Sequence, residues 1–205
     1  MDSRDVALQS VMPTVMVPRY SQLDELDTPG NRILMASNGI WLEVCRAWLY
    51  VRTQLKTPLN LSVPYGEVSA ALRFEFGKLP KAMVALFIEQ AKIRCPNECA
   101  AWVVWNQQTG EWKLMMLKET SVGPGHVNVI LPTLGEGEHM VMDLHSHGLT
   151  EAFFSRTDNQ DDRGATKIAG VIGNLDQPEV TALFRLCANG VFVPLPFDNP
   201  QGSRR

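Results

Sequence analysis

Two of the chain's four histidines, His145 and His147, stand one residue apart in the stretch "MDLHSHGLTEAFFSRTDNQDD", which also holds Ser155 and Asp158. If "EHMVMDLHSH" is a β-strand, alternation turns both imidazoles to one face and Ser146 to the other. Two neutral ring nitrogens converging on one point suit zinc, which in catalytic sites takes three protein ligands and keeps one position open. Asp158 is the best-placed third ligand, because "SRTD" reads as the entrance of a helix and a carboxylate in its first turn can face back to the strand end. The expected metal set is therefore His145, His147 and Asp158. A simpler reading competes at each position. Ser155 and Asp158 alone match a capping box, and a single histidine at a strand end is usually a hydrogen-bonded or solvated side chain. Two histidines on one face, followed by this serine and aspartate, favour the metal. The neighbouring carboxylates of Glu138, Asp143, Asp161 and Asp162 are expected to be solvated or to support the site without binding the ion.

A metal alone does not make a hydrolase. The water it activates also needs a base that accepts its proton and delivers it to the leaving group, and the chain offers many carboxylates. The pattern His145-x-His147-x7-Ser155-x2-Asp158 resembles the JAMM motif of the MPN (JAB) domain family, zinc metalloproteases that include deubiquitinating isopeptidases. In that family the glutamate base lies upstream, just after the first helix and at the start of the next strand. Here "RCPNECAAWVVW" occupies that place, so the resemblance implies Glu98 as general base and Ser155 as donor to the oxyanion, the kind of contact worth about 3 kcal/mol in other enzymes. It implies a ubiquitin-like protein or peptide as substrate and an α/β fold of the MPN/JAB type, a cytidine deaminase-like mixed β-sheet flanked by helices. The chain departs from the family pattern in carrying Gly148 where proline often follows the second histidine, and Ala100 where glycine often follows the glutamate. A catalytically inactive MPN scaffold is the rival reading, although such modules usually lack one or more of the five groups.

The elements that must position these residues can be read coarsely. "KAMVALFIEQAKIRC" has Met83, Val84, Phe87, Ile88, Ala91 and Ile93 at helical spacing, closed by Pro96. "CAAWVVWN" and "EWKLMMLKE" read as a hairpin through "QQTG", and "GHVNVILP" and "EHMVMDLHSH" as two further strands. "TDNQDDRGATKIAG" reads as a helix ahead of the final strands "GVIGNL", "EVTALFRLCA" and "GVFVPL". Upstream, Asn31 to Leu55 reads as two strands turning at "SNG", and "KTPLNLSVPYGE" as a loop. The expected organisation is an N-terminal β-rich extension over residues 1–79, a catalytic domain over 80–197 and a flexible tail over 198–205. The role of the extension is not legible in its sequence.

Composition narrows the classes. The 205 residues carry a formal net charge of -3 with Lys and Arg scattered, so no basic face for nucleic acid is evident. Apolar runs fall short of the roughly 20 residues of a membrane span. The N-terminus has no basic region ahead of an apolar core, so a cytoplasmic protein with reduced cysteines is expected. The "CPNEC" spacing and the absence of a second pair argue against a cysteine-built zinc site. Amidohydrolase-type barrels, which also use H-x-H, need further histidines downstream and roughly 250 residues; none follows His147. The oligomeric state is left open.

Overall fold

A computed structural model describes residues 1–56 and 62–196, in two compact units, Met1–Lys78 and Leu79–Arg205. The expected tail at 198–205 and residues 57–61 of the expected loop lie outside the described residues. Among the described residues, no helix is long and apolar enough to cross a membrane.

The N-terminal unit opens with a helix, α1 (Ser3–Val11), that the β-rich expectation omits; it buries no side chain. Five strands follow, β1 (Thr14–Met16), β2 (Gly30–Ala36), β3 (Gly39–Arg46), β4 (Leu49–Lys56) and β5 (Ala71–Phe74), ordered β1-β2-β3-β4-β5 with only β1 and β2 parallel. The segment from Asn31 to Leu55 thus makes three strands, not two. The first turn is Ser37–Asn38, as its asparagine and the following glycine suggest. The second, Ala47–Trp48, carries no Gly, Pro, Asn or Asp and so gave no sequence signal. It forms because Trp48 is buried and stacks on Phe74 and Phe76 at 6.3 and 6.2 Å between ring centroids. Val17, Leu34, Ala36 and Trp41 make a core cluster.

In the middle of β3, Glu43 is completely buried. Its carboxylate accepts from the Tyr50 hydroxyl and the Arg32 guanidinium, with Arg52 at 3.8 Å. A buried carboxylate is tolerable when its oxygens are held by such donors, and removing it strands the cations that faced it. Glu43→Ala is therefore expected to destabilise the N-terminal unit by about 3–5 kcal/mol, read as a shift of its chemical denaturation midpoint.

The second unit begins with α2 (Lys81–Arg94), which buries Val84, Phe87, Ile88 and Ala91, while Ile93 faces solvent. Then come β6 (Ala100–Asn106), β7 (Trp112–Met116), β8 (Lys118–Gly123), β9 (His126–Ile130), β10 (Glu138–Ser146), α3 (Arg156–Asp161), β11 (Thr166–Gly173), β12 (Thr181–Ala188) and β13 (Val191–Leu195). Six of the strands form a mixed sheet, β13-β12-β11-β10-β6-β7, in which β10 and β11 alone run parallel. Strands β8 and β9 form a separate hairpin.

Two boundaries differ from expectation. "EWKLMMLKE" is not one strand: it breaks at Leu117, a buried residue whose N–H donates to Ala100 O at 2.9 Å before the chain leaves for the β8–β9 hairpin. The polar helix also ends at Asp161, and "TKIAG" belongs to β11. That strand is central, and its seven residues Lys167–Gly173 are all buried, so a near-continuous apolar run replaces the alternation that would have marked it. All four cysteines are unpaired, and Cys99 and Cys187 are buried; burial pushes the Cys187 thiol up to about 12 and raises that of Cys99. Alkylation of the native protein at pH 8 is expected to spare these two thiols and to reach them only after denaturation, as peptide mapping would show.

Candidate metal centre

The parallel pairing of β10 with β11 requires a crossover, because the chain must return to the end of the sheet from which β10 started. That crossover, residues 147–165, carries three of the five residues of interest; the fourth, His145, is the last but one residue of β10 and the fifth, Glu98, precedes β6. His145 lies opposite Ala100 of β6 on one side and Val171 of β11 on the other. His147 prolongs the ladder by one bond, its N–H donating to Ile172 O at 2.8 Å. Period-two alternation then does what it must. The Nε2 atoms of His145 and His147 lie 3.2 Å apart. Ser146 points the other way, into the interior, where its Oγ accepts from Cys99 N at 3.0 Å and its N–H donates to Cys99 O at 3.0 Å. This reciprocal pair ties the residue after Glu98 to the residue between the two histidines.

Asp158 comes from the first turn of α3. Its Oδ2 accepts from Ser155 N at 2.6 Å while Ser155 Oγ accepts from Asp158 N at 3.1 Å, a complete capping box. The other oxygen, Oδ1, faces His145 Nε2 at 3.6 Å. One carboxylate therefore serves both roles read from the sequence: one oxygen closes the helix and the other joins the imidazoles. The three ligand atoms lie within 4.8 Å of one another, the sole such set found among the described residues. Ligands on a tetrahedral zinc at about 2.0–2.1 Å are separated by about 3.3 Å, so the separations of 3.2 and 3.6 Å fit a shared ion. Burial lowers the pKa of His145 against the opposing pull of Asp158, which favours the neutral imidazole a metal needs. Phe153 packs edge-on against His147 at 4.5 Å, and His147 Nδ1 is buried without a hydrogen-bond partner.

Glu98 is buried, with its N–H donating to Gly123 O at 3.1 Å. Burial, and then the negative charge of Asp158, push its carboxyl up to about 7, a value suited to giving and taking a proton near neutrality. Ser155 Oγ, engaged as an acceptor, keeps a hydroxyl hydrogen to donate. Elsewhere, a cleft of about 820 Å³ in the N-terminal unit gathers Asp24, Glu25, Asp27 and Glu67 around Arg52, and no metal-ligating set is found there among the described residues.

Residues 80–187 match the family described as prokaryotic homologues of the JAB domain. The chain belongs to this family. Residues 2–75 match a domain of unknown function, DUF2016. No curated protein matches the chain. Among solved structures, protein DSY2949 from Desulfitobacterium hafniense is similar at 14% identity and a TM-score of 0.43, over 60% of this chain and 97% of that one.

Within the JAB domain the departures from the family pattern have physical accounts. Gly148 adopts a φ of +55°, and a Cβ on it would lie 2.4 Å from Pro96 O; proline, whose φ is fixed near −65°, cannot take this conformation. The methyl group of Ala100 is accommodated beside His145 in the buried ladder. Sequence reasoning passed over the charged cluster beneath α3, where Lys167 Nζ bonds Asp143 at 2.5 Å and Asp162 at 2.8 Å and Arg185 reaches Asp162 at 2.6 Å. A signal was present: Arg185 is a lone charge in the apolar strand "TALFRLCA". Gly148→Ala is expected to destabilise the JAB domain by more than ~1 kcal/mol through positive φ and the clash with Pro96, measured by equilibrium unfolding in urea.

Proposed function

We propose that the JAB domain is a zinc-dependent peptidase or isopeptidase of the JAMM type, acting on a peptide or isopeptide bond that follows the tail of a ubiquitin-like protein. The observation that carries this reading is the meeting of His145, His147 and Asp158 within ligand distance beside a buried Glu98 whose pKa is raised to about 7. Zinc bound there would supply a Lewis acid that lowers the pKa of a coordinated water and polarises the scissile carbonyl. His145, His147 and Asp158 would hold the ion, and Glu98 would take a proton from the attacking water and hand it to the departing amine. Ser155 Oγ would donate to the oxygen on which charge develops. The identity of the substrate rests on the resemblance of the H-x-H…S-x-x-D pattern to the JAMM motif, and a cytidine deaminase-like arrangement of the domain goes with it. An N-terminal unit ahead of a JAB domain also resembles protein A of plasmid-associated PRTRC systems. A cytoplasmic location, where four unpaired thiols are stable, completes the reading.

The test is a linear fusion of a ubiquitin-like protein to a reporter, followed for cleavage, with metal analysis of the same samples. Wild-type protein is expected to carry one zinc per chain and to cleave after the tail. Glu98→Gln is expected to keep its zinc while turnover falls by roughly 10²–10⁴-fold. Undiminished turnover by that variant would remove Glu98 from the mechanism, and protein purified without chelator yet free of zinc would favour a non-catalytic scaffold.

A further inference from the structure

Helix α3 presents a physical problem. It is six residues long and buries no side chain, whereas isolated helices shorter than about 12–15 residues are marginal in water. Something other than an apolar face must hold the helix that carries Asp158. Arg185 of β12 is buried, and its guanidinium reaches the helix region at three points. Nη1 donates to Asn159 Oδ1 at 2.5 Å and Nη2 to Asp162 Oδ2 at 2.6 Å, while the group lies 3.7 Å from the ring of Phe154 and 4.0 Å from that of Phe192. Phe154 precedes the N-cap, Asn159 follows Asp158, and Asp162 is the C-cap. The contact passes on to the histidine strand. Lys167 of β11 bonds Asp162 and also Asp143, which stands two residues before His145 on β10.

We infer that Arg185 is a positioning residue of the metal centre, clamping α3 from Phe154 to Asp162 so that Asp158 Oδ1 faces His145. The inference deepens the zinc reading and rests on it. The planar guanidinium fork suits the task, because it serves two oxygens at fixed angles while also lying over the rings of Phe154 and Phe192. A lysine could keep a charge near Asp162 but has no planar fork to hold Asn159 and Asp162 at fixed angles or to stack in the same way. The arrangement is also costly: Arg185 Nε is buried without a hydrogen-bond partner, and an aliphatic residue in this apolar strand would avoid burying a charge. The clamp gives that buried charge a use.

The experiment employs the full chain in four forms: wild type, Arg185→Lys, Asn159→Ala and, as a control in the same helix, Gln160→Ala. Asn159 is exposed, so its replacement cuts the tie to α3 while leaving Arg185 paired with Asp162. Zinc affinity is measured by chelator competition, the visible absorption of the Co²⁺-substituted protein reports coordination number, and hydrogen exchange of residues 155–163 is followed on metal-free protein. Arg185→Lys and Asn159→Ala are expected to weaken zinc binding by roughly 10–100-fold, to reduce the intensity of the four-coordinate Co²⁺ bands, and to speed exchange in 155–163; Gln160→Ala is expected to do none of these. Wild-type affinity, spectrum and exchange in both variants would overturn the clamp. A wild-type chain that binds no zinc would overturn the metal reading itself, and the exchange arm, which needs no metal, tells that failure apart from failure of the clamp.

Discussion

The parallel pairing of β10 with β11 is the constraint from which the site follows. Antiparallel neighbours can be joined by a tight turn, but parallel ones need a long connection, and here that connection starts at the second histidine and brings Ser155 and Asp158 back over the end of the strand. On the other flank β6 runs antiparallel to β10, so its beginning, not its end, lies beside His145, and Glu98 arrives at the same place. The reciprocal bonds between Cys99 and Ser146 fix that register locally. A one-residue slip would turn both imidazoles into the interior and put Ser146 in their place.

Electrostatics and packing then act together. Burial disfavours charge on both His145 and Glu98, so it lowers the pKa of the imidazole and raises that of the carboxyl. The same desolvation thus favours a ligand with a free lone pair and a carboxyl that can exchange a proton near pH 7. Below α3 the charges are kept ionised by pairing: burial opposes the carboxylate of Asp162, yet bonds from Lys167 and Arg185 hold its pKa below the ordinary value. The N-terminal unit also buries a carboxylate, Glu43, but surrounds it with a tyrosine and arginines, an arrangement suited to cohesion.

How much of this was legible depended on how local each signal was. The convergence of His145, His147 and Asp158 could be read because strand alternation and the first turn of a helix are short-range rules. Glu98 could be reached only through resemblance, since nothing near it in sequence says that β6 will lie beside β10. The membership of residues 80–187 in the JAB family agrees with that resemblance at the level of the family. What escaped were places where tertiary packing overrides local pattern. The Ala47–Trp48 turn is held by an aromatic stack, the break at Leu117 by a bond to Ala100, and the strand character of "TKIAG" by burial on both faces. Arg185 is visible as an oddity in its strand, but its use depends on a helix that stops at Asp161, well before the glycine that its sequence offers as an end.

The most direct test of a centre built from two imidazoles and one carboxylate is X-ray absorption at the zinc edge on protein purified without chelator. A shell of nitrogen and oxygen at about 2.0–2.1 Å with the multiple-scattering signature of two imidazoles is the predicted result. A sulfur shell at about 2.3 Å, or a sample containing no metal, would contradict it.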